Sequence, residues 1–292
     1  AGDVAPLLAP DYRGFFGKDV TLSATGARTA SGMLSLSALD LQAEAIALSG
    51  QVDLLPSGLP ERFGVDAQIG LEGGAEVLLP LSGEKTWLRK GTLRLEYDRA
   101  KSDGWALMAE LDALRRDGMS LGQTVLSGSG RIGQPASGAS AGGTLTLMAR
   151  DLAFGDPALA EAVGPTLAAS TVFHWQEGKP LNLPVLHATA QNFAVDGRLT
   201  LADLAGGISL SGQAKVRHEA LEPLSALAGR ALSGRIEGNV SGQYTLITGA
   251  FDATLNIAGQ DLHLDQPQAD ALLAGAAQIA LSARRDETGL TL

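Results

Sequence analysis

Convergent acids, bases and nucleophiles are what a catalytic site needs, and this sequence supplies few. Its four histidines, His174, His187, His218 and His263, are dispersed, and no two stand at a metal-ligand spacing. A lone histidine in strand pattern reads as an ordinary strand residue. There is no cysteine, which removes disulfides, thiolate nucleophiles and Cys-based zinc sites. Gly128-Ser129-Gly130-Arg131-Ile132-Gly133 matches GxGxxG. The following Gln134-Pro135-Ala136-Ser137-Gly138 cannot open the helix whose N-terminus would hold a pyrophosphate. That segment therefore reads as a glycine-rich hairpin. Ser82-Gly83-Glu84-Lys85 matches SxxK without its companion motifs and reads as a turn. Asn239-Val240-Ser241 is a sequon by form, within strand pattern. Arg115-Arg116-Asp117 and Arg284-Arg285-Asp286-Glu287 carry both signs before a glycine and read as solvated turn tips. A net charge of −10 argues against a nucleic-acid partner. No enzyme activity, metal or cofactor is expected.

The elements that carry these residues are mostly strands. Apolar and polar residues alternate in run after run, the period of a half-buried β-strand. Phe63, Val65, Ala67, Ile69 and Leu71 share one parity; so do Leu93, Leu95 and Tyr97, and Trp105, Leu107, Ala109 and Leu111. Leu145 with Leu147, Ile208 with Leu210, Ala214 and Val216, Tyr244 with Leu246, and Phe251 through Leu255 and Ile257 continue it. Gly, Asp and Ser clusters between the runs suggest a strand every 8–12 residues in a meandering antiparallel sheet. Leu34 and Leu36 share a parity that Leu39 and Leu41 leave and Ile46 and Leu48 regain. A one-residue slip exchanges faces, so irregularities are expected near Ser37–Ala38 and Gln42–Ala45. Three short helices are expected: one after Asp156-Pro157, one after Pro267, and one after Pro223 ending at Gly229.

Two internal repeats organise the chain. Residues 144–157 align with 254–267, an offset of 110, and residues 11–54 align with 158–201, an offset of 147. The repeating piece is a short helix followed by antiparallel strands. The expected organisation is a first unit over 1–155, a second over 156–265 and the start of a third over 266–292. Beginning at Ala1 and stopping at Leu292 within strand pattern, the chain reads as a segment of a longer protein. The expected fold is mainly β: an elongated repeat antiparallel sheet with one apolar face and short helices between the units. From periodicity alone, that face is either closed by helices or a second sheet, or left as an open trough suited to acyl chains.

One family has repeats of this style. Gln266-Pro267-Gln268-Ala269-Asp270-Ala271-Leu272-Leu273-Ala274-Gly275, then Gln278-Ile279-Ala280-Leu281 and Arg284-Arg285-Asp286, resemble repeats of the TamB family, AsmA-like proteins of the Gram-negative envelope. Leu221-Glu222-Pro223-Leu224-Ser225, Gly229-Arg230-Ala231-Leu232-Ser233-Gly234 and Asp11-Tyr12-Arg13-Gly14-Phe15-Phe16-Gly17 are similar as well, as are Leu78-Leu79-Pro80-Leu81 and Tyr97-Asp98. The resemblance covers essentially the whole chain and rests on repeat style, so no functional residue transfers individually.

It implies a periplasmic body anchored in the inner membrane in the full-length protein, and a taco-like or half-pipe apolar β-groove. It also implies phospholipid passage between the membranes, with phospholipid acyl chains as ligand, and support of outer-membrane protein assembly with a TamA-like Omp85 outer-membrane protein. On that reading the groove-lining candidates are Phe63, Val65, Ile69, Leu93, Leu95, Leu107, Leu145, Leu147, Leu199, Leu201, Ile208, Leu210, Leu255 and Ile257. Two alternatives stand beside it: a chaperone or scaffold for outer-membrane β-barrel or autotransporter assembly that uses strand edges without conducting lipid, and a surface β-solenoid.

Overall fold

The computed structural model describes residues 2, 9–81, 83–134, 138–203, 207–286 and 289–291. Strand makes up 64% of the chain and helix 10%, so the protein is mainly β. It forms two compact units, Ala1–Gly155 and Asp156–Leu292. The first holds α1 (Arg13–Phe16), entered through a 3-10 turn at Pro10–Tyr12. Its strands are β1 (Thr21–Arg28), β2 (Leu34–Gln42), β3 (Ile46–Leu54), β4 (Pro60–Gly70), β5 (Val77–Leu78), β6 (Thr86–Asp98), β7 (Gly104–Arg116), β8 (Met119–Gly133), β9 (Ser140–Arg150) and β10 (Ala153–Phe154). They pair antiparallel in chain order; β5 continues β4 along β6, and β10 continues β9 along β8.

The second unit opens with α2 (Pro157–Val163) and runs through β11 (Thr166–Gln176), β12 (Leu181–Ala190), β13 (Phe193–Ala202) and β14 (Ser209–His218). A 3-10 turn, Glu222–Leu224, leads into α3 (Ser225–Ala228); β15 (Ser233–Thr245), β16 (Ala250–His263), α4 (Pro267–Leu273), β17 (Ala276–Asp286) and β18 (Gly289–Thr291) follow. These strands also form one antiparallel meander. Residues from 266 on thus belong to the same compact unit as β11–β16. The strands do not close into a barrel: among the described residues no pairing joins β1 to β9 or β11 to β18.

The strands reach 15 residues, longer than the 8–12-residue spacing implied. The reason is that many Gly and Ser residues that read as turns sit inside strands. Gly128, Gly130 and Gly133 all lie in β8, so the GxGxxG segment is strand body rather than hairpin. The Pro135–Ser137 part of that reading lies outside the described residues, as does Ser82 of the SxxK match.

The phase changes appear where the parity breaks. The β2–β3 register shifts between Leu36 and Leu39, and the strand stops over residues 43–45 before β3 begins. The extra residue in β2, Ser37, donates its hydroxyl hydrogen bond to the Thr25 carbonyl at 3.2 Å. The β12–β13 pair shifts at the equivalent place, between Leu183 and Leu186.

The helices start and stop for local reasons. The Asp156 side chain accepts from Ala158 N at 2.8 Å, and Pro157 fills the first helical position. Gly229 ends α3 in the left-handed conformation, φ 64°. Alignment by 147 carries β2 and β3 onto β12 and β13; alignment by 110 carries α2 onto α4 and β11 onto β17. Asp151 and Asp261, also 110 apart, both have positive φ, 55° and 52°. The buried Leu152 and Leu262 follow them.

The fully buried core is small. In the first unit Phe15 of α1, Ala45 and Val77 of β5 cluster over Ile46 and Ile69, at one end of the sheet.

Candidate functional site

Directly opposed residues in antiparallel strands point to the same face, so the register assigns the faces. In the first unit Leu39, Gly50, Val65, Leu95, Leu107, Gly128 and Leu145 form one row across β2, β3, β4, β6, β7, β8 and β9. Two residues along each strand, Leu41, Leu48, Ala67, Leu93, Ala109, Leu126 and Leu147 form the next. Phe63, Tyr97 and Trp105 belong to the row on one side; Ile46, Ile69, Leu111 and Thr124 belong to the row on the other. None of these positions carries a charge.

The second unit repeats the arrangement. Leu181, Leu201, Leu210, Tyr244 and Phe251 form one row, and Leu186, Gly197, Ala214, Val240, Leu255 and Leu281 form another. Leu199 lies in the row between them, opposite Leu183 and Gly212, and Ile257 opposes Ile279. The sole charged group in these second-unit rows is Arg285, opposite Phe251. Ile208 stands just outside β14, its carbonyl accepting from Leu246 N at 3.0 Å. Leu246 itself is in a turn and 54% exposed, not in the strand its parity suggested. The structure therefore brings eight of the candidates onto one face of the first unit and puts five on one face of the second, with Ile208 at that face's margin.

All fourteen candidates are half-buried. They are shielded by their row neighbours but not sealed into a core. In the second unit the apolar face carries a cavity of about 360 Å³, lined by Leu186, Leu199, Leu210, Val240, Tyr244 and Phe251, with Gly212 and Gly242 in its floor. The glycines matter because space there is short. A Cβ on Gly212 would lie 3.2 Å from Leu199 Cδ1, and one on Gly242 2.9 Å from Ala253 Cα. Larger hollows, such as one of about 660 Å³ in the first unit, include charged groups of the opposite face, Arg62, Asp66 and Glu96. The smaller cavity also reaches one such group, Arg198, and its lining is otherwise uncharged.

Several residues of the apolar face are not among the groove-lining candidates, although Tyr97 and Trp105 share their parity. Trp105 lies over Gly128, Gly130 and Gly143: a Cβ on Gly128 would meet its ring at 3.1 Å, and one on Gly143 at 2.6 Å. The indole N–H donates to the Gly142 carbonyl at 3.2 Å. Tyr97 packs on Phe63 with ring centroids 5.3 Å apart. Its hydroxyl is buried without a hydrogen-bond partner, and burial raises its pKa. His218 is 6% exposed, stacked on Phe193, with neither ring nitrogen hydrogen-bonded. Its even position in β14, shared with Leu210, Ala214 and Val216, was the available signal.

The other face is ionic. Asp53 pairs with Arg62 at 2.8 Å, Asp66 with Arg94 at 2.8 Å, and Lys215 with Glu237 at 2.6 Å. Asp196 accepts from His187 at 2.6 Å and from Arg217 at 2.9 Å. The His187 hydrogen bond holds the Asp196 carboxyl below the usual carboxylate range, with the charges of Arg217 and Lys215 adding to it. His263 pairs with Asp270 at 2.9 Å, and His174 is exposed. The arginines of both clusters are exposed near strand ends, as expected of solvated turn tips, and each cluster is also ion-paired. Arg115 lies 4.2 Å from the Trp87 ring and pairs with Glu76 at 2.8 Å; Arg284 in β17 pairs with Asp286 at 3.2 Å. Among the described residues no three His, Asp or Glu side chains group as metal ligands, and no helix is long and apolar enough to cross a membrane.

No family model and no curated protein matches the chain. Among solved structures, a BenF-like porin from Pseudomonas fluorescens Pf-5 aligns over 90% of this chain and 90% of its own. The identity is 10% and the TM-score 0.23. A likeness so slight carries no argument about fold or function.

Proposed function

We propose that the chain is a periplasmic segment of a TamB-like envelope protein, anchored in the inner membrane in its full-length form. On this reading the apolar face of each unit is a taco-like or half-pipe groove that guides phospholipid acyl chains between the inner and outer membranes. It also supports outer-membrane protein assembly beside a TamA-like Omp85 partner. The observation that carries the reading is the second-unit cavity of about 360 Å³, walled by half-buried leucine, valine and phenylalanine side chains and the exposed Tyr244. An acyl chain offers area and no hydrogen bonds, and each methylene buried is worth about 0.8 kcal/mol. An uncharged row from strand to strand gives such a chain a path with little to arrest it. The headgroup stays in water. The chain's own residues supply passive guidance, and no bond is made or broken.

The test is the lipid content of the purified protein. Mass spectrometry of material from a Gram-negative host should find co-purifying phospholipid that is lost on delipidation and regained from vesicles. Protein that carries no phospholipid, and takes up none from vesicles, overturns the proposal.

A further inference from the structure

We infer that the polar face of the second unit carries a binding site for a phosphate oxyanion, built around Arg198. The site does not depend on acyl chains binding to the apolar face.

A β-bulge sets its place. Between Leu183 and Leu186, Pro184 and Val185 of β12 stand opposite Arg198 alone in β13. Two residues facing one interrupt the ladder and bend the strand, and Pro184 has no N–H to restore it. Beside this bulge lies a hollow of about 580 Å³, lined by His174, Asn182, Arg198, Thr200, Ser211 and Gln213. The register sets these residues in two rows. His174, Asn182, Thr200 and Ser211 oppose one another from β11 to β14, and Arg198 opposes Gln213 in the next row. Diagonal neighbours across such rows are about 7–8 Å apart, so side chains from both rows can reach one small anion between them.

The lining selects an anion. It includes no carboxylate. Asn182 accepts from the Thr200 hydroxyl at 3.1 Å and donates to the Pro180 carbonyl at 3.2 Å, so these two hold each other in place. Among the described residues, Arg198, His174, Ser211 and Gln213 have no side-chain hydrogen bond or ion pair. By contrast Lys215, Arg217 and Arg284 of the same unit are each held by a carboxylate. Asp196, two residues along β13, is taken by His187 and Arg217. A guanidinium beside hydroxyl, amide and imidazole donors suits the oxygens of a phosphate, which a planar fork binds in bidentate fashion.

The equivalent place in the first unit has the opposite character. There Ser37 and Ala38 stand opposite Gln51, which the 147-residue offset carries onto Arg198. The hollow beside that bulge is lined by Asp40, Asp66, Glu96 and Asp98, with Arg62 and Lys101. The bulge is common to both units, and the acid-free lining belongs to the second.

The four free donors are exposed, so an affinity of about 1 mM is expected, weakening with salt. One arm of the experiment titrates the full chain with inorganic phosphate at constant ionic strength, with chloride as the control. Nuclear magnetic resonance follows the side-chain N–H signals of Arg198 and Gln213, which should shift and saturate. The other arm measures co-flotation with vesicles of phosphatidylglycerol and phosphatidylcholine. Arg198→Gln places at this bulge the residue type found at Gln51, and should weaken binding about 10-fold or more, read at Gln213. Arg94→Gln is the control, because Arg94 already pairs with Asp66, and should leave binding unchanged. A saturable response to inorganic phosphate supports a free phosphate as ligand. Flotation that falls in Arg198→Gln, without a response to inorganic phosphate, supports a phospholipid headgroup as the source. An equal response to chloride overturns the proposal, as does phosphate binding that survives Arg198→Gln. So does the absence of a phosphate response together with flotation that Arg198→Gln leaves unchanged, or with no flotation at all.

Discussion

Leu210→Arg separates a groove from a core. Leu210 opposes Leu201 on one side and Tyr244 on the other, and lines the second-unit cavity. Burying a leucine completely is worth about 1.5–3 kcal/mol. Leu210 is half-buried, so losing its contacts costs about 1–2 kcal/mol on the same scale. The arginine stem can lie along the face while its head reaches water, so the fold survives. Ligand binding fares worse. If the arginine stem displaces about four methylenes of an acyl chain, the loss is about 3 kcal/mol, a fall in affinity above 100-fold. Met108→Arg is the control, because Met108 is 46% exposed and opposes Arg94 and Ser127 on the ionic face. Displacement of a fluorescent acyl probe, with urea unfolding alongside, measures both quantities. Equal probe affinity in the two variants would refute the reasoning, and so would unfolding of Leu210→Arg, which would make the face a closed core.

Other outcomes follow from particular contacts. Leu88 is 1% exposed, so Leu88→Ala should cost about 2–5 kcal/mol in urea unfolding, well above the cost at the half-buried Leu107. Gly130→Ala should destabilise by about 1–3 kcal/mol, because the new Cβ would meet Gly143 Cα at 2.5 Å, whereas Gly73→Ala faces open space and should be near neutral. Asp112 and Asp196 have lowered pKa values through hydrogen bonds from Arg89 and His187. Their stabilisation is complete above the ordinary carboxylate value of 3.8 and is lost as pH falls through the lower folded values. Asp196→Asn should flatten part of that acid limb in a thermal melt taken from pH 5 to pH 2.

The faces were legible because parity is a strong signal. Phe63, Val65 and Ile69, or Leu255 and Ile257, fall on one face from a period of two alone, and antiparallel neighbours then add to that face. The break at Ser37 was legible for the same reason, since an extra residue reverses the parity that follows. What parity could not give was the length of the strands. Gly128 and Gly130 look like turn residues in sequence, yet they are strand residues that make room for Trp105 from the neighbouring strand. That need arises from a residue more than twenty positions away. Parity also gave no sign that Arg115 would find Glu76 and the face of Trp87, because those contacts depend on which strands are neighbours. His218 is the intermediate case: its position on the apolar face follows from parity, but its burial against Phe193 follows from pairing.

The two repeat offsets look inconsistent until the strands are counted. Taking β4 with β5 and β9 with β10 as single broken strands, eight strands lie between α1 and α2, and six lie between α2 and α4. Offsets of 147 and 110 then both give about 18 residues per strand and turn. Both counts are even, and an antiparallel meander with an even number of strands returns to the end it left. Within the first unit this brings β10 back to the end of the sheet where α1 packs on β5. Within the second it lets α4 begin at the end of the sheet from which α2 departed. The repeat is therefore conserved in the helix-to-strand junction and variable in the number of hairpins between junctions. A hairpin added or lost changes the width of an apolar face without reversing its parity or moving its helices. On the proposed reading, a groove that serves by continuity tolerates such a change of width, and low aromatic content with frequent glycine keeps its surface even.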